Sequence, residues 1–161
     1  MDRRIATSTD NEVRHVLERL TDGSRSSEPP VFESKQKALM FAAGLGHYRS
    51  QRKPLASRDA GGAIRFELFQ RAVDEGFIYA VGVAEHGDLK ALDDKASEAM
   101  ASCFEEYANA GLWDLATRLD NSPDDTLDAV VELIMRAENQ ARPDDAGAGL
   151  PADVLGLLAG L

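Results

Sequence analysis

The sequence predicts a mainly all-α protein, a compact single-domain bundle of about six or seven helices. Three observations carry that expectation. Apolar residues recur at helical spacing in one stretch after another, most clearly at Ala96, Ala99, Met100, Cys103, Phe104, Tyr107 and Ala108. Capping residues and turn formers punctuate those stretches at short intervals. No two runs of alternating residues pair as strands, so extended structure is confined to a short strand near 31–32 or 77–84. With 161 residues, 43% of them apolar, the chain is long enough to bury a core.

Taken in order, Thr9-Asp-Asn-Glu12 has capping-box spacing, and Val13, Val16, Leu17 and Leu20 follow at helical period up to a stop at Gly23. Residues 22–30 are turn formers without an apolar anchor, which predicts a mobile loop. Val31-Phe32 leads into a helix over 35–46, and Phe32 is expected to pack on it. Ala38, Phe41, Ala42 and Leu45 form that helix's apolar face, with Ser34 as N-cap and Gly46 as the residue after its last turn. A basic loop follows over 47–58, bounded by Pro54 and the Asp59-Ala-Gly-Gly62 turn.

Phe66, Phe69 and Val73 predict a helix over 64–75 that ends near Gly76. Phe77 to Ala84 is ambiguous: its β-branched and aromatic content suits a buried strand, yet Phe77, Val81 and Ala84 share a helical face. The missing partner strand favours a buried helix, broken after His86-Gly-Asp88. The helix over 93–110 is the clearest, with Glu98, Glu105 and Glu106 off its apolar face or at the edge. Gly111 is expected to interrupt it before a short helix carrying Leu112, Trp113, Leu115, Ala116 and Leu119. Ser122-Pro123-Asp-Asp125 opens a last helix, whose buried side would be Leu127, Val130, Val131 and Ile134. Beyond a domain over 1–140, residues 141–161 read as a linker and a short apolar tail. Leu155, Leu158 and Leu161 of that tail are candidates for docking on a partner.

Charge is distributed unevenly. Residues 1–71 carry 13 Lys and Arg against 9 Asp and Glu, a net of +4, whereas residues 72–161 carry 5 against 19, a net of −14. A two-faced molecule follows, with one side for a polyanion and one for a basic partner; the alternative is acidity that serves solubility alone. No run is long enough to span a membrane, and the N-terminus lacks the apolar stretch of a signal peptide. Cys103 is the single cysteine, which excludes an internal disulfide and suits a reducing, cytoplasmic setting; it is expected in the core.

Catalytic and metal-binding patterns are absent from the sequence. His15, His47 and His86 are not spaced for zinc, and Gly44-Leu-Gly46 closes a helix where a dinucleotide loop would open one. Glu85, Asp88 and Lys90 resemble a magnesium-holding nuclease grouping, but they fall on a turn, with Asp88 as a helix cap. The expectation is a protein without enzymatic activity, metal or cofactor. The basic loop is the remaining candidate: Arg49, Arg52, Lys53 and Arg58, with His47 and Tyr48 beside them, could grip DNA phosphates. An ordinary solvated loop, paired with the protein's own acids, is the competing reading.

Several short motifs, in order, resemble the DNA phosphorothioation-associated protein 4 family (dnd system-associated protein 4). They are Phe41-Ala-Ala-Gly-Leu-Gly46, Arg52-Lys-Pro-Leu55, Ile64-Arg65, Ala84-Glu-His-Gly-Asp-Leu89 and Phe104-Glu-Glu-Tyr-Ala-Asn-Ala-Gly-Leu112. The resemblance covers residues 3–136. It implies a cytoplasmic accessory protein of a bacterial Dnd defence system, which places sulfur in the DNA backbone and restricts unmodified DNA. Two roles follow as expectations: contact with DNA through the basic loop and with a Dnd protein through the acidic half, or a pure protein–protein adaptor or inhibitor. Self-association is left open.

Overall fold

The computed structural model describes residues 3–22, 29–69, 72–87, 97–121 and 126–140. Among them it is mainly helical, as the periodicity predicts: five helices, one 3-10 turn and a two-stranded antiparallel sheet. The stop at Gly23, most of the 22–30 loop, Asp88 and Lys90, residues 122–125, and the tail with Leu155, Leu158 and Leu161 lie outside the described residues. The chain divides into two compact units, Met1–Pro123 and Asp124–Leu161.

The first unit is organised around its longest helix. Strand β1 (Arg4–Ile5) is followed by helices α1 (Asn11–Thr21) and α2 (Lys35–Tyr48). Strand β2 (Ile64–Arg65), a 3-10 turn (Phe66–Phe69), and helices α3 (Ala72–His86) and α4 (Ser97–Asp120) come next. Helices α1, α2 and α3 all pack on α4, α2 most extensively. Helix α4 buries Met100, Cys103, Phe104, Glu105, Tyr107, Asn109, Ala110, Leu112, Leu115 and Leu119, a set that winds around much of its circumference, as a central helix must. Cys103 is fully buried, as expected.

Two glycines read in the sequence as helix breaks are contact points instead. Helix α2 runs through Gly46 to Tyr48, and the left-handed position falls on Ser50 (φ 52°). A Cβ at Gly46 would overlap the backbone carbonyl of Tyr107, and one at Gly111 would overlap that of Ala42. Ala42 and Gly46 on α2 thus face Tyr107 and Gly111 on α4, each pair four residues apart. Glycine is needed at both positions because backbone approaches backbone with no room for a side chain. Helix α4 therefore continues through Gly111 as one element. Gly76, expected as a terminus, lies inside α3, which ends at Gly87 with φ +67°, where the break was expected.

Helix α1 buries Val13, Val16, Leu17 and Leu20, as its spacing requires. Its N-cap is Asp10, without a side-chain cap bond; the Thr9 hydroxyl bonds that of Ser57, so no capping box forms. Ser34 caps α2 by accepting the Lys37 N–H, and Phe32 packs on Phe41 with ring centroids 5.3 Å apart. The 77–84 segment is helical, as favoured. Extended structure lies at β1 and β2, paired Arg4 with Arg65 and Ile5 with Ile64. Residues 31–32 form a bend. Strands of two residues are too short to show a period, which is why the sequence did not locate them. Beyond the sheet, Ser8 and Arg58 form an isolated antiparallel bridge, with the Asp59 N–H donating to the Thr7 carbonyl. The 3-10 turn replaces the start of the helix expected over 64–75 and seats Phe69 edge-on against Phe104, 6.0 Å between centroids.

The second unit contains helix α5 (Thr126–Gln140). It buries Val130 and Leu133, while Leu127, Val131 and Ile134 are exposed, contrary to the expected stripe. Val130 is buried as expected, and with Leu133 it puts the buried side roughly 80° round the helix from the centre of that stripe, at about 100° per residue. Spacing shows which residues are apolar; it does not show which side of the helix is covered.

Candidate nucleic-acid interface

After α2, the chain turns at Ser50 and runs along α4. The Lys53 N–H donates to the Glu106 carbonyl at 3.1 Å, and the Asn109 amide donates to the carbonyls of Lys53 (3.0 Å) and Pro54 (3.3 Å). The backbone of the basic loop is therefore fixed to one face of α4. Its far end is closed by Asp59, whose side chain accepts the N–H groups of Gly61 and Gly62, the expected turn.

The side chains are largely committed to carboxylates. Arg49 pairs with Asp114 at 3.1 Å, and Asp114 also receives Arg118 at 3.2 Å. Arg52 spans two helices, reaching Glu85 of α3 at 2.5 Å and Glu106 of α4 at 2.6 Å. Its guanidinium lies 5.7 Å from the centre of the Tyr107 ring, and His47 meets the same ring edge-on at 5.2 Å. Arg58 pairs with Glu105. Lys53 places its ammonium 4.3 Å from the centre of the Trp113 ring, a cation–π contact. Tyr48 is exposed at the end of α2.

The structure thus gathers Arg49, Arg52 and Lys53 on the α4 surface, and places Arg58 beside the sheet. Ser50, Gln51, Arg52 and Lys53 form one wall of an open groove of about 550 Å³; Ala110, Trp113, Asp114 and Thr117 form the other. The Trp113 indole N–H is buried and meets no acceptor among the described residues. Sequence reasoning missed the α4 partners. The signal was present: Glu106, Asn109, Ala110, Trp113, Asp114 and Thr117 recur at helical spacing and mark one face of the helix.

Burial and hydrogen bonding shift the local ionisations. Burial opposes the charge on Arg52, but the bonds to Glu85 and Glu106 outweigh it and raise its pKa further above the ordinary value. The Tyr107 hydroxyl donates to Glu85 at 2.6 Å; this bond first, then Arg52, holds the Glu85 carboxyl below the usual range. Burial and the same bond push Tyr107 up to about 12.

Glu105, expected off the apolar face, is only 2% exposed. It accepts the Ala6 N–H at 2.8 Å and pairs with Arg58, which is why a carboxylate is tolerated there. Burial still lifts its carboxyl above the usual range. Burial likewise raises the Cys103 thiol, which suits an unreactive core residue.

Of the acidic grouping near 85–90, Glu85 is engaged by Arg52 and Tyr107. Among the described residues, no three His, Cys, Asp or Glu side chains are grouped so as to hold a metal ion. Among the same residues, no helix is long and apolar enough to cross a membrane.

Comparison with curated proteins and with solved structures gave no match. Comparison with family models gave a match to DNA sulphur modification system-associated protein 4 over residues 4–150, which takes in the loop, its α4 partners and the sheet. The chain belongs to the DNA sulphur modification system-associated protein 4 family.

Proposed function

We propose that the protein is a non-catalytic accessory or regulatory component of a DNA sulphur modification (Dnd) system in phage defence. It contacts DNA through its basic surface and a Dnd modification or restriction protein through its acidic half. Family membership over residues 4–150 carries the association with the system. The loop supports contact with DNA: its arginines stay accessible at the side chain, 34% for Arg49, 33% for Arg52 and 54% for Arg58. The pairs of Arg49 and Arg52 are partly exposed on both sides and contribute about 0–1 kcal/mol each, so phosphate oxygens can replace those carboxylates at little cost, whereas Arg58 stays with the buried Glu105. Arg52 and Lys53 already lie at the mouth of a groove that a backbone can follow, with His47 and Tyr48 at its α2 end.

A second reading, a protein–protein adaptor without DNA contact, is favoured by one observation. Arg49, Arg52 and Arg58 are each matched by a carboxylate, which weakens the long-range field that would draw a polyanion. Fluorescence anisotropy with plain and phosphorothioated duplexes, at low and physiological salt, separates the two. Salt-sensitive binding that is lost in Arg49→Ala/Arg52→Ala/Lys53→Ala supports the DNA reading. If neither duplex is bound at low salt, the adaptor reading stands, and co-purification with Dnd proteins becomes its test.

A further inference from the structure

We infer that Arg4 and Arg65, paired across the two-stranded sheet, form a phosphate-binding platform that seats the DNA backbone. The inference rests on the DNA contact proposed above and adds an anchor outside the loop. Arg4 and Arg65 are direct partners in the antiparallel register, and both are exposed. Their neighbours in the same ladder, Ile5 and Ile64, turn to the opposite face; Ile5 is completely buried. Side chains opposed in this way have Cβ atoms about 4.5–5.5 Å apart, and like charges there destabilise the sheet.

Such a pair is ordinarily relieved by a carboxylate. Neither Arg4 nor Arg65 has one within ion-pair distance among the described residues, whereas Arg49, Arg52 and Arg58 each do. Two further guanidiniums extend the surface. Arg58 sits in an isolated bridge with Ser8, beyond the end of β1. Arg3 donates to the Glu98 carbonyl at 2.7 Å, and its Nε is buried with no acceptor among the described residues. Nearby acids offset this charge only in part: Glu105 is spent on Arg58 and Ala6, Glu98 attracts Arg3, and Glu67 follows Arg65 by two positions.

Two adjacent forks can each take a phosphate bidentately, and two forks with further guanidiniums beside them suit a continuous backbone better than a single small anion.

The test is anisotropy with a plain duplex across a salt series, comparing the wild type with Arg4→Ala/Arg65→Ala and Arg4→Lys/Arg65→Lys. Melting curves check that each variant folds. The expected result for the alanine pair is a log K against log salt slope shallower by about 2 and binding at low salt weaker by about tenfold or more. The lysine pair should retain the slope. If the wild type binds and the alanine pair binds with the same slope, the inference falls while the DNA reading stands. If the wild type does not bind, both fall. Binding to anionic vesicles that depends on Arg4 and Arg65, without binding to DNA, would assign the surface to membranes and overturn the inference.

Discussion

The α2–α4 crossing makes a sharp prediction about glycine. Replacing a glycine inside a helix by alanine ordinarily stabilises it by about 1 kcal/mol, because glycine has more backbone freedom to lose on folding. Gly76 in α3 should behave so, since a Cβ there meets nothing within 4 Å. Gly111→Ala should do the opposite. Its Cβ would overlap the Ala42 carbonyl, a backbone atom that cannot rotate away, so the two helices must separate. Overpacking of that kind costs typically about 1–3 kcal/mol, and a backbone clash lies at or above the upper end. Set against the helix gain, the net loss is about 2 kcal/mol, or about 4–8 °C in Tm for a chain of this length. Urea denaturation followed by circular dichroism measures both variants against the wild type. A Gly111→Ala variant as stable as Gly76→Ala would refute the close crossing.

Two more predictions concern buried polar groups. Glu105→Ala removes the acceptor of the buried Ala6 N–H and the partner of Arg58, and should cost about 3 kcal/mol in urea denaturation; a loss under half of that would mean that β1 is held by other contacts. Tyr107 should ionise at about 12 against an ordinary 10.0, read as the difference in phenolate absorbance between the wild type and Tyr107→Phe. Because the folded pKa is raised, its contribution to stability is complete below pH 10.0 and is lost as pH climbs through about 12. Glu85→Gln should bring the ionisation down, and an unchanged titration would remove Glu85 as a cause.

Helices α1 and α2 and the helical nature of 77–84 were legible because their apolar spacing is local information, as was the Ser34 cap. Gly46 and Gly111 were misread for the same reason. A glycine that ends a helix and one that admits another backbone look identical until the facing helix is known, and Tyr107 lies 61 positions beyond Gly46. Glu105 was placed off the apolar face or at its edge, and its burial was not legible, because a buried carboxylate becomes tolerable only through Ala6 and Arg58, both distant in sequence. The basic loop was legible as a cluster of cations. Pairing with the protein's own acids was weighed as the competing reading, but which acids was not legible, since Glu85, Glu106 and Asp114 sit 33 to 65 positions away from the arginines they meet. Arg4 and Arg65 stand far apart in the sequence and become one surface only through the register of a sheet too short to leave a pattern.

The three hydrogen bonds that fix Lys53 and Pro54 to α4 have a consequence for recognition. A free loop surrenders about 1–2 kcal/mol of backbone entropy for each residue it orders, and a partner must supply that from its own contacts. Here the ordering is completed when the protein folds. A ligand meets a rail instead of a tether, keeps most of the energy of each contact it makes, and competes only against the carboxylates already in place. For the DNA contact proposed above, affinity would then be governed by exchange of one anion for another, and docking would need no preceding rearrangement of the chain.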